Sequence, residues 1–101
     1  MPITTKKYQF TVSNINAYVS DHMGVYALYD PISTVIYYGN TETSIKKRLQ
    51  SHFSGTEGKC TQGATYFNFE RHFNPVYRER QLLEQYKRFY GKLPKCNIIL
   101  L

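Results

Sequence analysis

A glutamate in a helical segment is the first residue of this sequence that could do chemistry. Residues 76 to 90 have helical periodicity, and their apolar side chains fill one arc of the helical wheel, with Glu79 near its middle. A lone carboxylate facing a core is costly, so it needs a cation, a set of donors, a metal ion or an open cleft beside it. The interpretation without a catalytic role is a buried ion pair, for example with Arg48 or Arg71, or a side chain that reaches water from the edge of the arc.

A second candidate group lies in the segment TSIKKRLQSHFSG, which has Thr and Ser as candidate N-caps and ends at Gly55 as a candidate C-cap. Its apolar residues form one stripe at helical spacing, and Arg48 and His52 lie one turn apart along the border of that stripe. The stripe consists of Ile45, Leu49 and Phe53. We therefore expect Arg48 and His52 beside the core and not on the far solvent face.

Tyrosines are concentrated in the segment GVYALYDPISTVIYYGN, residues 24 to 40. The runs 24–29 and 34–39 are rich in β-branched and aromatic residues, and the DPIS connection has turn chemistry, which predicts a β-hairpin. A tyrosine in a strand more often packs than catalyses. Taken alone, Tyr26 and Tyr37 would be assigned to packing.

The remaining segments predict the elements that must position these side chains. Residues 64–69 predict a third strand, and Asn74 with Pro75 marks the start of a helix that should end at Gly91. The N-terminal segment is open between a strand over residues 7–12 and a short helix after it. The apolar tail LPKCNIILL could add an extended segment to the sheet.

Composition restricts the class of protein and the class of partner. A chain of 101 residues fits one core, and its formal charge of +6 favours polyanions, with nucleic acid as the leading class. No apolar run is long enough to span a membrane, and the N-terminus lacks a signal-peptide segment, so we expect a cytoplasmic protein that does not bind membranes.

The two cysteines, Cys60 and Cys96, form no CxxC pair and no zinc-ligand spacing. The pattern therefore predicts neither a disulfide framework nor a structural zinc site, and a reducing compartment is the simpler interpretation. Cys60 is expected to be a plain loop thiol.

Taken together, these residues resemble the GIY-YIG nuclease superfamily. The resemblance is carried in chain order by GVY at 24–26, YYG at 37–39, RLQSH at 48–52, Glu79 in a helix, and Asn97 after LPKC. It covers residues 24–97, leaves 1–23 as an N-terminal extension, and implies a single stand-alone domain over residues 1–101. The implied fold is a small α/β domain of the α+β type, with a three-stranded antiparallel sheet flanked by helices in ββαβα order.

The activity implied by the resemblance is that of a divalent-metal-dependent DNA endonuclease, which hydrolyses phosphodiester bonds. Glu79 would be the sole protein ligand of the metal, which suits Mg²⁺, with Mn²⁺ able to substitute. Tyr26 is the first choice for the general base, and Tyr37 would position the water or the phosphate. Since a phenol has a reference pKa of about 10, nearby positive charge is needed to favour its ionised form.

The resemblance also implies roles for three further residues. Arg48, whose planar fork of donors stays charged, would stabilise the developing charge on the phosphate. His52 would hydrogen-bond a tyrosine or the phosphate, and Asn97 would fix the site with a neutral amide.

Two departures from the family pattern affect these assignments. Tyr38 stands where the name-giving motif has Ile, on a strand position that faces the opposite way. The spacing from Gly39 to Arg48 is one residue longer than usual, which puts Lys47 where the arginine is commonly found. Only Arg48 keeps the RxxxH relation to His52, so the role goes to Arg48, with Lys47 as a substitute.

Binding of DNA is expected to involve basic side chains on helix surfaces, among them Lys46, Lys47 and Arg78. A separate partner protein could supply targeting, because no added domain for target selection is evident, and the oligomeric state is open. The alternative function is a catalytically inactive nucleic-acid-binding or interaction module of the same fold. Action on RNA is a third, weaker option.

Overall fold

The computed structural model describes residues 2–99, and of Ile99 only the backbone. Nine helices and strands are described in this part of the chain. They are β1 (Tyr8–Gln9), α1 (Val12–Tyr18), β2 (Gly24–Tyr29), β3 (Val35–Thr41), α2 (Ile45–Ser54), α3 (Lys59–Gln62), β4 (Tyr66–Arg71), α4 (Pro75–Tyr90) and α5 (Lys95–Ile99).

The strands form one antiparallel sheet in the order β1, β4, β2, β3, flanked by helices. The α+β class and the ββαβα core are confirmed, but the described sheet has four strands where three were predicted. The extra strand is the two-residue β1, which pairs with β4. The segment that was open between strand and helix contains both, since α1 begins three residues after β1 ends, with the hydroxyl of Thr11 accepting from the backbone N–H of Asn14.

The hairpin predicted from residues 24–40 is formed by β2 and β3. Asp30 closes the turn, because its Oδ1 accepts from the backbone N–H groups of Ile32 and Thr34. Ser33 adopts the left-handed region at φ 66°, which helps the connection over residues 30–34 to reverse the chain. Within the described sheet, β2 is a central strand and β3 is an edge strand.

Alternation along the hairpin sends neighbouring side chains to opposite faces of the sheet. Tyr26, Leu28 and Tyr37 belong to a core cluster that contains residues of α1 and α2. Tyr29 and Tyr38 belong to a second cluster, which contains Leu82 of α4. Tyr29 and Tyr38 therefore pack in the core on the face of the sheet opposite to Tyr26 and Tyr37.

Capping residues set the ends of the two longest helices where the sequence predicted them. Ser44 caps α2 by accepting from the backbone N–H of Lys47, and Gly55 ends α2 in the left-handed conformation. Asn74 caps α4, and Gly91 ends it in the same left-handed way.

The buried stripe of α4 is rotated from the predicted arc. Its buried residues are Pro75, Arg78 and Leu82, whereas Phe89 at the C-terminal end of the arc is 82% exposed. Arg78 is 6% exposed and forms a two-pronged pair with Glu70 of β4, at 2.7 Å from Nε and 3.1 Å from a terminal nitrogen. The expectation that Arg78 lies on a solvated surface is wrong, because a paired guanidinium can be buried against the sheet.

The C-terminal tail and the cysteines also differ from expectation. Residues 95–99 form α5, which packs beside β3, and do not add a strand. Cys60 and Cys96 form a disulfide across a sequence separation of 36 residues. The prediction that Cys60 is a plain loop thiol is wrong, and the cysteine pattern no longer supports a reducing compartment, since disulfides persist in oxidising environments. None of the helices described between residues 2 and 99 is long and apolar enough to cross a membrane.

Candidate active site

The hairpin brings the two candidate tyrosines together on one face of the sheet. The rings of Tyr26 and Tyr37 have centroids 6.1 Å apart, and Tyr26 is paired across the strands with Gly39. A Cβ at position 39 would lie 2.4 Å from the Tyr26 hydroxyl oxygen and 2.8 Å from the Tyr37 ring. Gly39 is therefore required because the phenol of Tyr26 lies directly over its backbone.

A buried line of hydrogen bonds extends from the hairpin into α2 and α3. The hydroxyl of Tyr26 lies 2.7 Å from Nε2 of His52, and Nδ1 of His52 lies 2.8 Å from Oγ1 of Thr61. Tyr26 and His52 are both fully buried, and Thr61 is nearly so. Since both ring nitrogens are used within the protein, His52 holds Tyr26 and has no nitrogen left to bind a phosphate.

Burial controls the ionisation of the side chains in and beside this line. Burial and the nearby charge of Arg48 lower the pKa of His52 to about 4, so its imidazole is neutral at neutral pH. Burial and the neighbouring Tyr37 raise the pKa of Tyr26 well above its usual value, while the charge of Arg48 opposes the shift. Burial also raises the pKa of Tyr37, with a further contribution from the charge of Glu79. Both phenols are therefore protonated in the protein by itself.

Arg48 lies at the mouth of this buried line. Its charge acts on both Tyr26 and Tyr37, while its side chain is 40% exposed and lies 3.7 Å from a carboxylate oxygen of Glu57. Within the described residues its Nε is buried without a hydrogen-bond partner. An unsatisfied buried donor is costly, so Arg48 has capacity for an acceptor that the protein itself does not supply.

Lys47, the substitute for Arg48 in the family pattern, takes a different position. It is exposed in the first turn of α2, where its charge acts on Asp21. Between Gly39 and Arg48, the hydroxyl of Thr41 orders the turn into α2 by accepting from the backbone N–H groups of Thr43 and Ser44. The structure brings Arg48, and not Lys47, to the tyrosines.

Glu79 lies half-buried in the first half of α4 and is held by an amide. The side-chain N–H of Asn40 donates to Oε1 of Glu79 at 2.6 Å. Burial raises the pKa of Glu79, although the bond from Asn40 and the charge of Arg48 oppose this shift. In the described part of the chain, Arg48 pairs with Glu57 and Arg78 with Glu70. Neither of these ion pairs contains Glu79. The buried pair between Glu79 and an arginine that the sequence first suggested is therefore not among the described ion pairs.

Asn97 of α5 supports the edge strand next to Tyr37. Its Oδ1 accepts from the backbone N–H of Tyr38, and its Nδ2 donates to the backbone carbonyl of the same residue, both at 3.0 Å. The side chain thus pairs with the exposed edge of β3 as a neighbouring strand would. Asn97 contacts the backbone of the hairpin, so it acts on the site by holding β3 in place.

The residues expected to bind DNA are not all on one surface. Lys46 and Lys47 lie at the N-terminal end of α2 and act together on Asp21, which is exposed. Arg78 is buried against Glu70, so the structure does not support a phosphate contact from it.

Two residues that hold the site, Asn40 and Thr61, were missed by the sequence analysis. Asn40 directly follows YYG, and its position at the end of a strand is a signal that could have suggested a polar role. Thr61 lies in the short helix α3, whose sequence has no pattern that points to His52. Its contribution depends on how α3 folds back against α2.

Comparisons with known proteins give one match and one negative result. A family model described as the GIY-YIG catalytic domain matches residues 22–92, well over half of the chain. No curated protein matches the chain.

Proposed function

This chain belongs to the GIY-YIG family of nucleases, and on that premise we propose that it is a divalent-metal-dependent DNA endonuclease that hydrolyses phosphodiester bonds. The observation that carries the proposal is the convergence of Tyr26, Tyr37 and His52 beside a partly unsatisfied Arg48. These groups supply a proton acceptor and a charge stabiliser, which hydrolysis of a phosphodiester requires.

The proton acceptor is Tyr26, acting through His52. Because the pKa of Tyr26 is raised by burial, its phenol cannot serve as a base by first ionising. In the tautomer with the proton on Nδ1, His52 donates to Thr61 and accepts from Tyr26 at Nε2. The oxygen of Tyr26 can then take a proton from the attacking water as its own proton passes to Nε2 of His52.

Arg48 binds the phosphate and stabilises the charge that develops on it. Its buried Nε has no partner among residues 2–99, and the charge already lies near both phenols. A bound phosphate would satisfy this donor and would also offset the positive charge that helps to keep His52 neutral. Binding of the substrate would therefore raise the pKa of His52 and favour the proton transfer.

Glu79 is the residue that would hold the metal ion. In the described part of the chain no group of three or more His, Cys, Asp or Glu could hold a metal, and the donor set assigned here is the single carboxylate of Glu79. That set fits Mg²⁺, or Mn²⁺ in its place, because Mg²⁺ keeps several waters and is often bound through one or two carboxylates together with substrate phosphates. When bound, the ion would supply charge stabilisation at the phosphate. Asn40 orients the carboxylate for this role through its bond to Oε1.

The proposal is tested by incubating plasmid, branched and single-stranded DNA with the protein and Mg²⁺ or Mn²⁺. Glu79→Ala should lose cleavage, whereas Glu84→Ala, which removes an exposed glutamate from the same helix, should keep it. Cleavage by the wild-type protein no greater than that by Glu79→Ala would contradict the proposal. Salt-dependent DNA binding without any such cleavage would instead support the inactive binding module.

A further inference from the structure

A shallow pocket of about 320 Å³ opens where β2 begins and β4 ends. The catalytic roles proposed above do not use it. Its lining residues are His22, Met23, Arg71, His72 and Phe73. Arg71 and His22 are exposed, so the pocket presents cationic or polar groups and an aromatic ring to solvent.

The pocket lies next to the candidate active site along the sheet. Arg71 is paired with Gly24, and Gly24 is paired on its other side with Thr41. The adjacent row of the sheet contains Asn40, which holds Glu79. Two strand spacings cover roughly 10 Å, so a DNA strand with its phosphate at Glu79 passes the pocket with a neighbouring nucleotide.

Positive charge borders the pocket on the side of α2. The backbone N–H of Ile45 donates to the carbonyl of His22 at 2.9 Å, which ties the start of α2 to the pocket wall. The charges of Lys46, Lys47 and His22 act on Asp21, the acidic residue at this corner. With Arg71 these groups give the corner an excess of cationic side chains, which attracts phosphate.

An aromatic platform completes the pocket. Phe73 is 85% exposed, and its ring is stacked on that of His72 with centroids 5.1 Å apart and an interplanar angle of 10°. Nδ1 of His72 accepts from the backbone N–H of Asn74 at 3.0 Å, so the neutral ring carries its proton on Nε2, as a donor. The ring of Phe73 is thus backed by an oriented imidazole while its other face is open to solvent.

On the basis of the nuclease function proposed above, we propose that this pocket binds an unpaired nucleotide of the DNA substrate next to the cleaved phosphate. Its base stacks on Phe73, and its phosphate is bound by Arg71 and His72. A base in a duplex is already stacked on both neighbours, whereas an unpaired base has a free π-face for an aromatic side chain. The preferred substrate is therefore DNA with a single-stranded segment beside the cut.

Binding is the first test, measured by fluorescence anisotropy in EDTA so that no cleavage intervenes. The probes are a labelled single strand, its fully paired duplex, and the same duplex with an unpaired tail. Phe73→Ala should weaken binding of the single strand and the tailed duplex by about fivefold or more, and leave binding of the paired duplex within about twofold. Phe89→Ala is the matched control, since Phe89 is 82% exposed at the far end of α4. Equal effects of the two variants, or equal loss for all three probes, would overturn the proposal.

Stacking itself is read out by a tryptophan at the same position. The chain contains no Trp, so Phe73→Trp introduces a single reporter. Its fluorescence should be quenched by the tailed duplex and not by the paired one, and its binding should match that of the wild-type protein. Phe89→Trp should show no such difference. Quenching that is the same for both reporters would contradict the assigned platform.

The two proposals can fail separately. If the protein shows no metal-dependent nicking but Phe73→Ala still weakens DNA binding, the nuclease function is contradicted and the nucleotide pocket is supported. If the wild-type protein nicks DNA in a Glu79-dependent way but Phe73→Ala binds DNA as the wild-type protein does, only the nucleotide pocket is contradicted.

Discussion

The two halves of the candidate active site are held in different ways. Tyr26, His52 and Thr61 form a buried line in which each polar group has a partner inside the protein. Arg48 and Glu79 are only half-buried, and Arg48 has a donor without a partner among the described residues. The buried half has its geometry fixed by folding, whereas the open half has bonding capacity left for a phosphate and a cation. If this division is correct, the two halves should respond differently to mutation, reductant and pH.

The largest effect is expected from removing the Tyr26 hydroxyl from the buried line. Tyr26→Phe should slow nicking of DNA by between about 100- and 10,000-fold, the range for loss of a general base. Tyr29→Phe is the matched control, because Tyr29 donates a buried hydrogen bond to Asn68 at 2.9 Å on the other face of the sheet. Nicking rates under single-turnover conditions measure the difference. Equal rates for the two variants would show that the buried line has no special part in the chemistry.

The disulfide should contribute to the buried half through stability. Cys60 precedes Thr61 and Cys96 precedes Asn97, so the bridge joins the segments that support His52 and β3. A closed loop of 36 residues predicts a loss of about 4 kcal/mol in the free energy of unfolding when both cysteines become Ser. Guanidinium chloride unfolding measures it.

A reductant supplies the control for this prediction. It should destabilise the wild-type protein by a similar amount and leave the double Cys60→Ser, Cys96→Ser variant unchanged. An unfolding midpoint that is the same for wild type and the variant would contradict a stabilising role for the bridge.

In the open half, the planar set of guanidinium donors of Arg48 should contribute more to the nicking rate than its positive charge does. Arg48→Lys keeps the positive charge but loses the planar set of donors, so nicking should fall about 100-fold while DNA binding in EDTA changes little. Arg80→Lys, an exposed position on α4, should have no effect on nicking. A loss of binding as large as the loss of nicking would show that Arg48 acts through affinity alone.

The most gradual effect is a pH dependence of stability that belongs to the buried half. The pKa of His52 is about 4 in the folded protein, against about 6.5 when unfolded. Between these values the unfolded chain binds more protons, so stability falls as the pH drops from about 6.5 to 4, by up to about 3 kcal/mol. Urea unfolding should show this decrease in the wild-type protein, and His52→Gln should lack it. The same pH profile in both proteins would mean that His52 is not the group responsible.

The sequence predicted the elements well where local chemistry decides them. Asn74, Pro75 and Gly91 set the ends of α4 through a cap, a permitted proline and a left-handed terminus, all readable from a few adjacent residues. The alternation of the hairpin likewise separated Tyr26 and Tyr37 from Tyr38. The apolar helix face around Glu79 indicated that its carboxylate needs a partner, and the structure supplies a donor in Asn40.

Features that depend on distant parts of the chain could not be predicted in the same way. The burial of Arg78 depends on Glu70 from a neighbouring strand, and no local pattern announces that pair. The bond between Cys60 and Cys96 depends on how α3 and α5 meet beside the sheet. Asn40, as the partner of Glu79, could be identified only once β3 and α4 had been placed together.

The central claim is that the buried half and the open half act on the same phosphate, and a double-mutant cycle tests it most directly. Single-turnover nicking of plasmid DNA with Mg²⁺ would be measured for Tyr26→Phe, Glu79→Gln and the double variant. Groups that act as one unit lose their effect together, so the double variant should be no slower than the slower single variant. Wild-type rates for either single variant, or losses that multiply in the double variant, would contradict it.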